Sequence, residues 1–189
     1  MERDKIKNII EALLFITDSP LSSDKIKHIL DVKDADIPAI INELAQEHNN
    51  RNSGLQIQEV AGGFQLATRS EYGEWVRKLY KDRITYRMSK SALETLSIIA
   101  YKQPVTRAEI EDIRGVDATG VLENLLERRL IRICGRKEVL GRPMLYGTSP
   151  EFLKLFGLKD LSDIPDLEEL ASRAGITEEE NEVIEEIPK

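Results

Sequence analysis

The 189-residue chain contains one cysteine, one tryptophan and two histidines. A single thiol, Cys134, forms no internal disulfide and suits a reducing compartment. It lies in an apolar stretch beside no obvious base, which reads as a buried, inert thiol. His28 and His48 fall on separate predicted helices, with no cysteine or second histidine at ligand spacing, so they read as surface or packing residues and no metal is expected. No phosphate-cradling loop is present, and no acid, base and nucleophile converge in the sequence. The expectation is a non-enzyme without a cofactor. Long apolar runs are also missing: nothing approaches the ~18 residues of a membrane span. The opening "MERDKIKNIIEALLFITDSP" is charged and amphipathic, unlike a secretion signal. These absences point to a soluble, cytoplasmic chain with no membrane partner.

Charge is plentiful but unevenly placed. The net charge is −7. Residues 157–189 carry eleven Asp or Glu against Lys159, Arg173 and Lys189, while residues 1–156 are nearly neutral. A neutral body with an acidic tail argues against a chain built as a whole to bind phosphates. The tail's composition predicts that it is at least partly disordered.

A repeat organises the body. "PLSSDKIKHI" (20–29) and "PVTRAEIEDI" (104–113) align at a constant offset of 84, pairing Pro20 with Pro104, Leu21 with Val105, Ser22 with Thr106, Ile26 with Ile110 and Ile29 with Ile113. Upstream of each lies a one-sided apolar stripe at helical spacing: Ile6, Ile9, Ile10, Leu13 and Leu14, then Leu93, Leu96, Ile99 and Ala100. Downstream, Ile37, Ile40, Ile41 and Leu44 correspond to Ala118, Val121, Leu122 and Leu125 at an offset of 81, so the second copy has the shorter turn.

Local signals support these helices. Ser91–Glu94 and Thr106–Glu109 have the spacing of capping boxes, and Ser22 is the matching cap in the first copy. Each copy then turns to strands. In "LQIQEVAGGFQLATR" the pair Gly62-Gly63 marks a tight hairpin turn. In the second copy "LIRIC" and "MLYGT" flank the loop "GRKEVLGRPMLYGTS" (135–149). Three helices followed by a hairpin, given twice, is the winged-helix order. The expected fold is therefore mostly α with small β hairpins (α+β): two tandem winged-helix domains at 1–80 and 89–156, a linker at 81–88 and the acidic tail at 157–189. Within 71–80, "EYGEWVRKLY" predicts an extra helix burying Trp75 and Leu79.

Winged helices invite a DNA-binding reading, as in a transcriptional regulator, yet the third helices suit it poorly. Between Asp34 and Asn50 there is no Lys or Arg, and four acidic residues would face the duplex. Asn42, Gln46 and Asn50 could read base edges, but without phosphate anchors nothing fixes their register. In 117–130, Asp117, Glu123 and Glu127 run along the helix, with Arg128 and Arg129 only at its end, whereas groove readers use the N-terminal half. The second wing is the exception. Arg128, Arg129, Arg132, Arg136, Lys137 and Arg142 outnumber the acids around them, and such a loop could touch DNA weakly, grip an acidic peptide or simply be a solvated hairpin. Tyr101, Pro104, Pro143, Met144 and Tyr146 are candidates for a protein-binding surface, with core packing the competing role for Tyr101 and Tyr146.

"LETLSIIAYKQPVTRAEIEDIRGVD", "VLENLLERRLI", "GRPMLYGTSPEFLKLFGL" and "LSDIPDLEEL", in that order, resemble the bacterial segregation and condensation protein B (ScpB) family, and "IIEALLFITDSPLSSDKI" and "GGFQLATR" extend the likeness into the first half. The resemblance implies two winged-helix domains, a homodimer formed largely through the first, and binding of the kleisin ScpA, which bridges the heads of the SMC ATPase in chromosome condensation and partition during cell division. ATP hydrolysis would belong to the SMC partner, with DNA met only indirectly or weakly. The stretches most like the family place the kleisin-binding residues at Tyr101, Lys102, Pro104, Arg142, Pro143, Met144 and Tyr146.

Overall fold

The structure, a computed structural model, describes residues 2–80, 88–166 and 169. The predicted linker, apart from Met88, and the acidic tail from 170 onward, with its expected disorder, lie outside the described residues. The chain divides into two compact units, Met1–Tyr86 and Arg87–Lys189.

The first unit runs α1 (Arg3–Ile16), α2 (Ser23–Leu30), α3 (Ile37–Asn50), then the hairpin β1 (Leu55–Val60) and β2 (Gly63–Thr68). The helical stripes meet as read: Ile10, Ile26 and Ile37 are fully buried, with Leu14, Ile41 and Leu44 around them. Each such side chain contributes about 1.5–3 kcal/mol of burial. Ser22 caps α2 by accepting the Lys25 N–H at 3.3 Å, and Asp36 caps α3 through Ala39 at 3.2 Å.

The hairpin turn sits one residue earlier than expected. Val60 pairs with Gly63, so the two loop residues are Ala61 (φ 50°) and Gly62 (φ 70°). Gly63 is needed for a different reason. A Cβ there would stand 2.9 Å from the carbonyl carbon and oxygen of Leu21. That close approach lets Leu21 and Phe64 exchange two 2.9 Å backbone hydrogen bonds, tying the start of α2 to the wing.

The extra helix exists as α4 (Gly73–Leu79), but it does not bury the residues assigned to it. Trp75 is 61% and Leu79 77% exposed. A two-turn helix has too little length to hold its apolar face against a core; Trp75 meets Tyr72 edge-on instead, with ring centroids 6.3 Å apart. His48 is a packing residue, fully buried, its Nε2 2.8 Å from Glu11 Oε1 and its Nδ1 3.2 Å from Ser53 Oγ. His28 is exposed.

The second unit repeats the plan with additions: α5 (Lys90–Lys102), β3 (Val105–Thr106), α6 (Arg107–Arg114), α7 (Thr119–Glu127), β4 (Ile131–Arg136), β5 (Met144–Thr148) and α8 (Pro150–Phe156). Leu96, Ile99, Ile110, Leu122 and Leu125 form its core. The strand order is β3-β5-β4, all antiparallel, which leaves β4 at an edge. Strand β3 is the fuller form of the Leu21–Phe64 bridge: Val105, the repeat partner of Leu21, pairs with Tyr146. Each unit is thus a winged helix whose wing is stitched back to the segment before its second helix.

Two expectations fail here. The cap of α5 is Ser89, which accepts the Ala92 N–H at 3.2 Å; the helix has already begun at Ser91, whose hydroxyl lies 3.1 Å from that of Ser89, and Glu94 faces Arg114 at 3.8 Å. Cys134 is exposed, not buried. Ile133 pairs with Tyr146 and Gly135 with Leu145, so Cys134 is the extra residue of a bulge on the edge strand. Beyond α8 the chain continues to pack, with Leu158 and Ile164 lying against the core.

Candidate partner-binding face

The seven candidate residues lie on two segments that the fold sets side by side: the end of α5 and the turn after it (Tyr101, Lys102, Pro104), and the end of the wing loop with β5 (Arg142, Pro143, Met144, Tyr146). Gln103 joins them. Its Oε1 accepts from the Thr148 backbone N–H at 2.7 Å and from the Thr148 hydroxyl at 3.0 Å, while its Nε2 donates to the Ala100 carbonyl at 3.2 Å. This half-buried amide closes the C-terminus of α5 and fixes Pro104 beside the foot of β5. The junction is tight enough to require glycine: a Cβ on Gly147 would lie 2.9 Å from Gln103 Oε1 and 2.6 Å from Cys134 Sγ. Gln103 is absent from the sequence-derived candidates because nothing local marks a glutamine before a proline as a cross-link to residue 148.

Further along, Thr106 and Glu109 complete the expected capping box. Glu109 Oε2 accepts from the Thr106 N–H and hydroxyl, each at 2.7 Å, and the Thr106 Oγ1 accepts from the Glu109 N–H at 3.3 Å. The second carboxylate oxygen takes Lys137 Nζ at 2.6 Å, so one acid links the start of α6 to the wing. The Lys137 bond first, and then those from Thr106, hold the Glu109 carboxyl down at about 2.

The candidates separate by exposure. Pro104, Arg142 and Met144 are exposed, and Lys102 and Pro143 are half-buried. Tyr146 is a core residue, 9% exposed, at the centre of the three-stranded sheet. Tyr101 is 37% exposed, and its hydroxyl donates to the Pro165 carbonyl at 2.7 Å. Burial and the carboxylates of Asp166 and Glu169 raise its phenol above the ordinary value. The wing also shows apolar residues that the sequence reading passed over: Leu140 is fully exposed, and Val139 and Ile133 are about half exposed. The signal for Val139 and Leu140 was the run "EVLGRPM", apolar side chains in a loop with no partner strand.

The DNA-reading geometry remains poor. On α3, Glu43 binds Arg3 and Glu47 binds Lys7, leaving Asn42, Gln46 and Asn50 as an exposed, uncharged row. On α7, Glu123 and Glu127 are exposed.

Residues 8–167 match the family described as segregation and condensation complex subunit ScpB. The chain belongs to that family. It is 49% identical over 169 residues to segregation and condensation protein B of Syntrophotalea carbinolica, spanning 89% of this chain and 85% of that protein. The ScpB of Moorella thermoacetica is 46% identical over 169 residues, 89% of this chain and 86% of its own length. A crystal structure of a dimer of an ScpB N-terminal domain complexed with an ScpA peptide is also similar, at 38% identity and TM-score 0.38, over 40% of this chain and 95% of that one. Membership of a complex subunit family displaces the transcriptional-regulator reading. The match ends near Leu167, so the acidic residues from 178 onward lie beyond the ScpB range. Among the described residues no helix is long and apolar enough to cross a membrane.

Proposed function

We propose that the chain is a non-catalytic, architectural subunit of the chromosome segregation and condensation complex. It works in the cytoplasm, at the nucleoid, as a homodimer that binds the kleisin ScpA and reaches the SMC ATPase through it. The first unit carries the dimer contact. Its support is the apolar row Tyr72, Trp75, Leu79 and Tyr80, which stands 40–77% exposed on and beside α4. Large exposed aromatic and aliphatic groups in one row suit an interface better than water.

The second unit grips ScpA through the α5–β3 turn and the outer side of β5. The observation that carries this reading is the Gln103–Thr148 cross-link, which presents Pro104 beside the wing as a pre-formed face. A face fixed before binding loses little conformational entropy when a partner docks. Pro104, Pro143 and Met144 supply apolar contact, and Lys102 and Arg142 supply charge at its rim. Tyr146 supports the face from beneath and is not itself a contact. Tyr101 contributes its ring edge while its hydroxyl holds Pro165.

Isothermal titration of ScpA into the full chain tests this. Met144→Asp is expected to weaken binding by about tenfold or more, the scale of one lost interface anchor of ~1.4 kcal/mol. Unchanged affinity in a folded variant overturns the assignment. Titrating duplex DNA at rising salt checks the competing role: the isolated chain is expected to hold DNA weakly, and tight sequence-selective capture contradicts the proposal.

A further inference from the structure

Elsewhere in the described structure, three of the four exposed arginines find carboxylates, Arg77 being the exception. Arg3 binds Glu43, Arg51 binds Glu11 and Arg107 faces Glu111. The second wing breaks this habit. Arg129, Arg132, Arg136 and Arg142 are all exposed, and among the described residues no carboxylate pairs with any of them. Arg132 Nε instead donates to the Thr148 carbonyl at 3.2 Å, and Arg136 Nη1 to the Arg142 carbonyl at 3.0 Å, contacts that orient the guanidinium groups without neutralising them. Lys137 is matched, by Glu109. Three like charges on one hairpin and a fourth just before it repel each other and favour an anion from outside it.

The same unit carries such an anion on its own chain. Residues 178–186 read "EEENEVIEE", six glutamates with no base among them. Reach allows contact. Pro165 is fixed at Tyr101, at the end of α5, and Gln103 two residues on is bonded to Thr148 at the foot of the wing. From Thr148 to the wing tip at Leu140 is at most ~28 Å of extended chain, and from Asp166 to Glu178 the chain can extend ~40 Å. Tethering at that range gives an effective concentration of order millimolar. Free DNA competes poorly with that, because it must also approach a molecule of net charge −7 past the exposed Glu123 and Glu127 of α7.

We infer that residues 178–186 dock on the basic wing, Arg129 to Arg142, of their own unit as a tethered polyanion, occupying a cationic surface on which a nucleic acid could gain hold. This does not depend on ScpA being the partner of the adjacent face.

The test compares the full chain with a full-length variant in which the six glutamates between 178 and 186 are glutamine. At ~50 mM salt a 20-base-pair duplex is expected to bind the variant about five- to tenfold more tightly, and the difference is expected to shrink as screening grows. The Nε–Hε resonances of Arg132 and Arg136 are expected to differ between the two proteins, independently of protein concentration. Identical affinities and identical resonances overturn the proposal. So does an equal gain in duplex binding when the glutamine variant also carries Arg132→Gln, Arg136→Gln and Arg142→Gln, because the tail would then act through overall charge alone. A resonance difference that grows with protein concentration places the tail on a second copy and overturns docking within one chain.

Discussion

In the first unit the acids of the third helix are answered by the bases of the first: Glu43 binds Arg3, Glu47 binds Lys7, and Glu11 meets both His48 and Arg51. Its wing closes in a two-residue turn with strands in unbroken register. In the second unit the equivalent hairpin carries a bulge and a longer loop, and its arginines lack acid partners among the described residues. The interiors nonetheless match position for position, Ile26 with Ile110 and Leu21 with Val105. One module thus keeps its core in both copies and changes its surface. The first turns its charges inward on itself, and the second holds them out on a wing.

That equivalence of cores has the largest consequence. Ile26→Ala and Ile110→Ala remove the same fully buried side chain from each copy, and each is expected to cost about 2–5 kcal/mol in denaturant unfolding. A loss below ~1 kcal/mol at either position would mean that the repeat does not carry over to packing.

The two wing glycines sharpen the contrast. Gly63→Ala drives a Cβ into the Leu21 backbone, which cannot step aside, and a loss of about 2–3 kcal/mol is expected. Gly147→Ala meets the Cys134 Sγ and the Gln103 side chain, which can shift, so a smaller loss is expected. Adding Cys134→Ala should recover part of it; thermal melts of the single and double variants that show no recovery would remove the sulfur as the cause.

The smallest effect concerns the caps. Ser22→Ala and Thr106→Ala should each cost about 1 kcal/mol. Only the second cap has an acid three residues on, since the position matching Glu109 in the first copy is Lys25. Because the folded state lowers the Glu109 carboxyl from the ordinary 4.5 to about 2, its contribution is complete above pH ~4.5 and is lost as the pH falls toward 2. With its side chain 41% exposed, solvent screening limits that contribution to a fraction of a kcal/mol. Unfolding of Glu109→Gln measured between pH 5 and 2 should show a shallower loss than the parent; parallel curves would place the acid sensitivity elsewhere.

The sequence revealed what periodicity and spacing can carry. The repeat located the buried isoleucines because an apolar stripe at helical spacing has one stable use, and Ser22 and Thr106 were legible as caps. It failed where neighbours compete or where burial depends on distant partners. Two serines stood at the start of α5, and the earlier one caps it. Two glycines marked a turn, and the second serves a close approach instead. Trp75 looked like a core residue, yet no surface of the described first unit covers it, and Cys134 looked buried until a bulge displaced it. At the candidate face, Pro104 and the wing were visible as fragments; their joining through Gln103 and Thr148 is a long-range contact that no local pattern announces. Tyr101 and Tyr146 were indistinguishable by composition, and sheet position divides them.

Hydrogen–deuterium exchange of the full chain, with and without ScpA, tests the central claim most directly. The predicted result is slowed exchange at residues 100–106 and 142–147 of the second unit. Protection confined to the first unit, with those two segments unchanged, would contradict it.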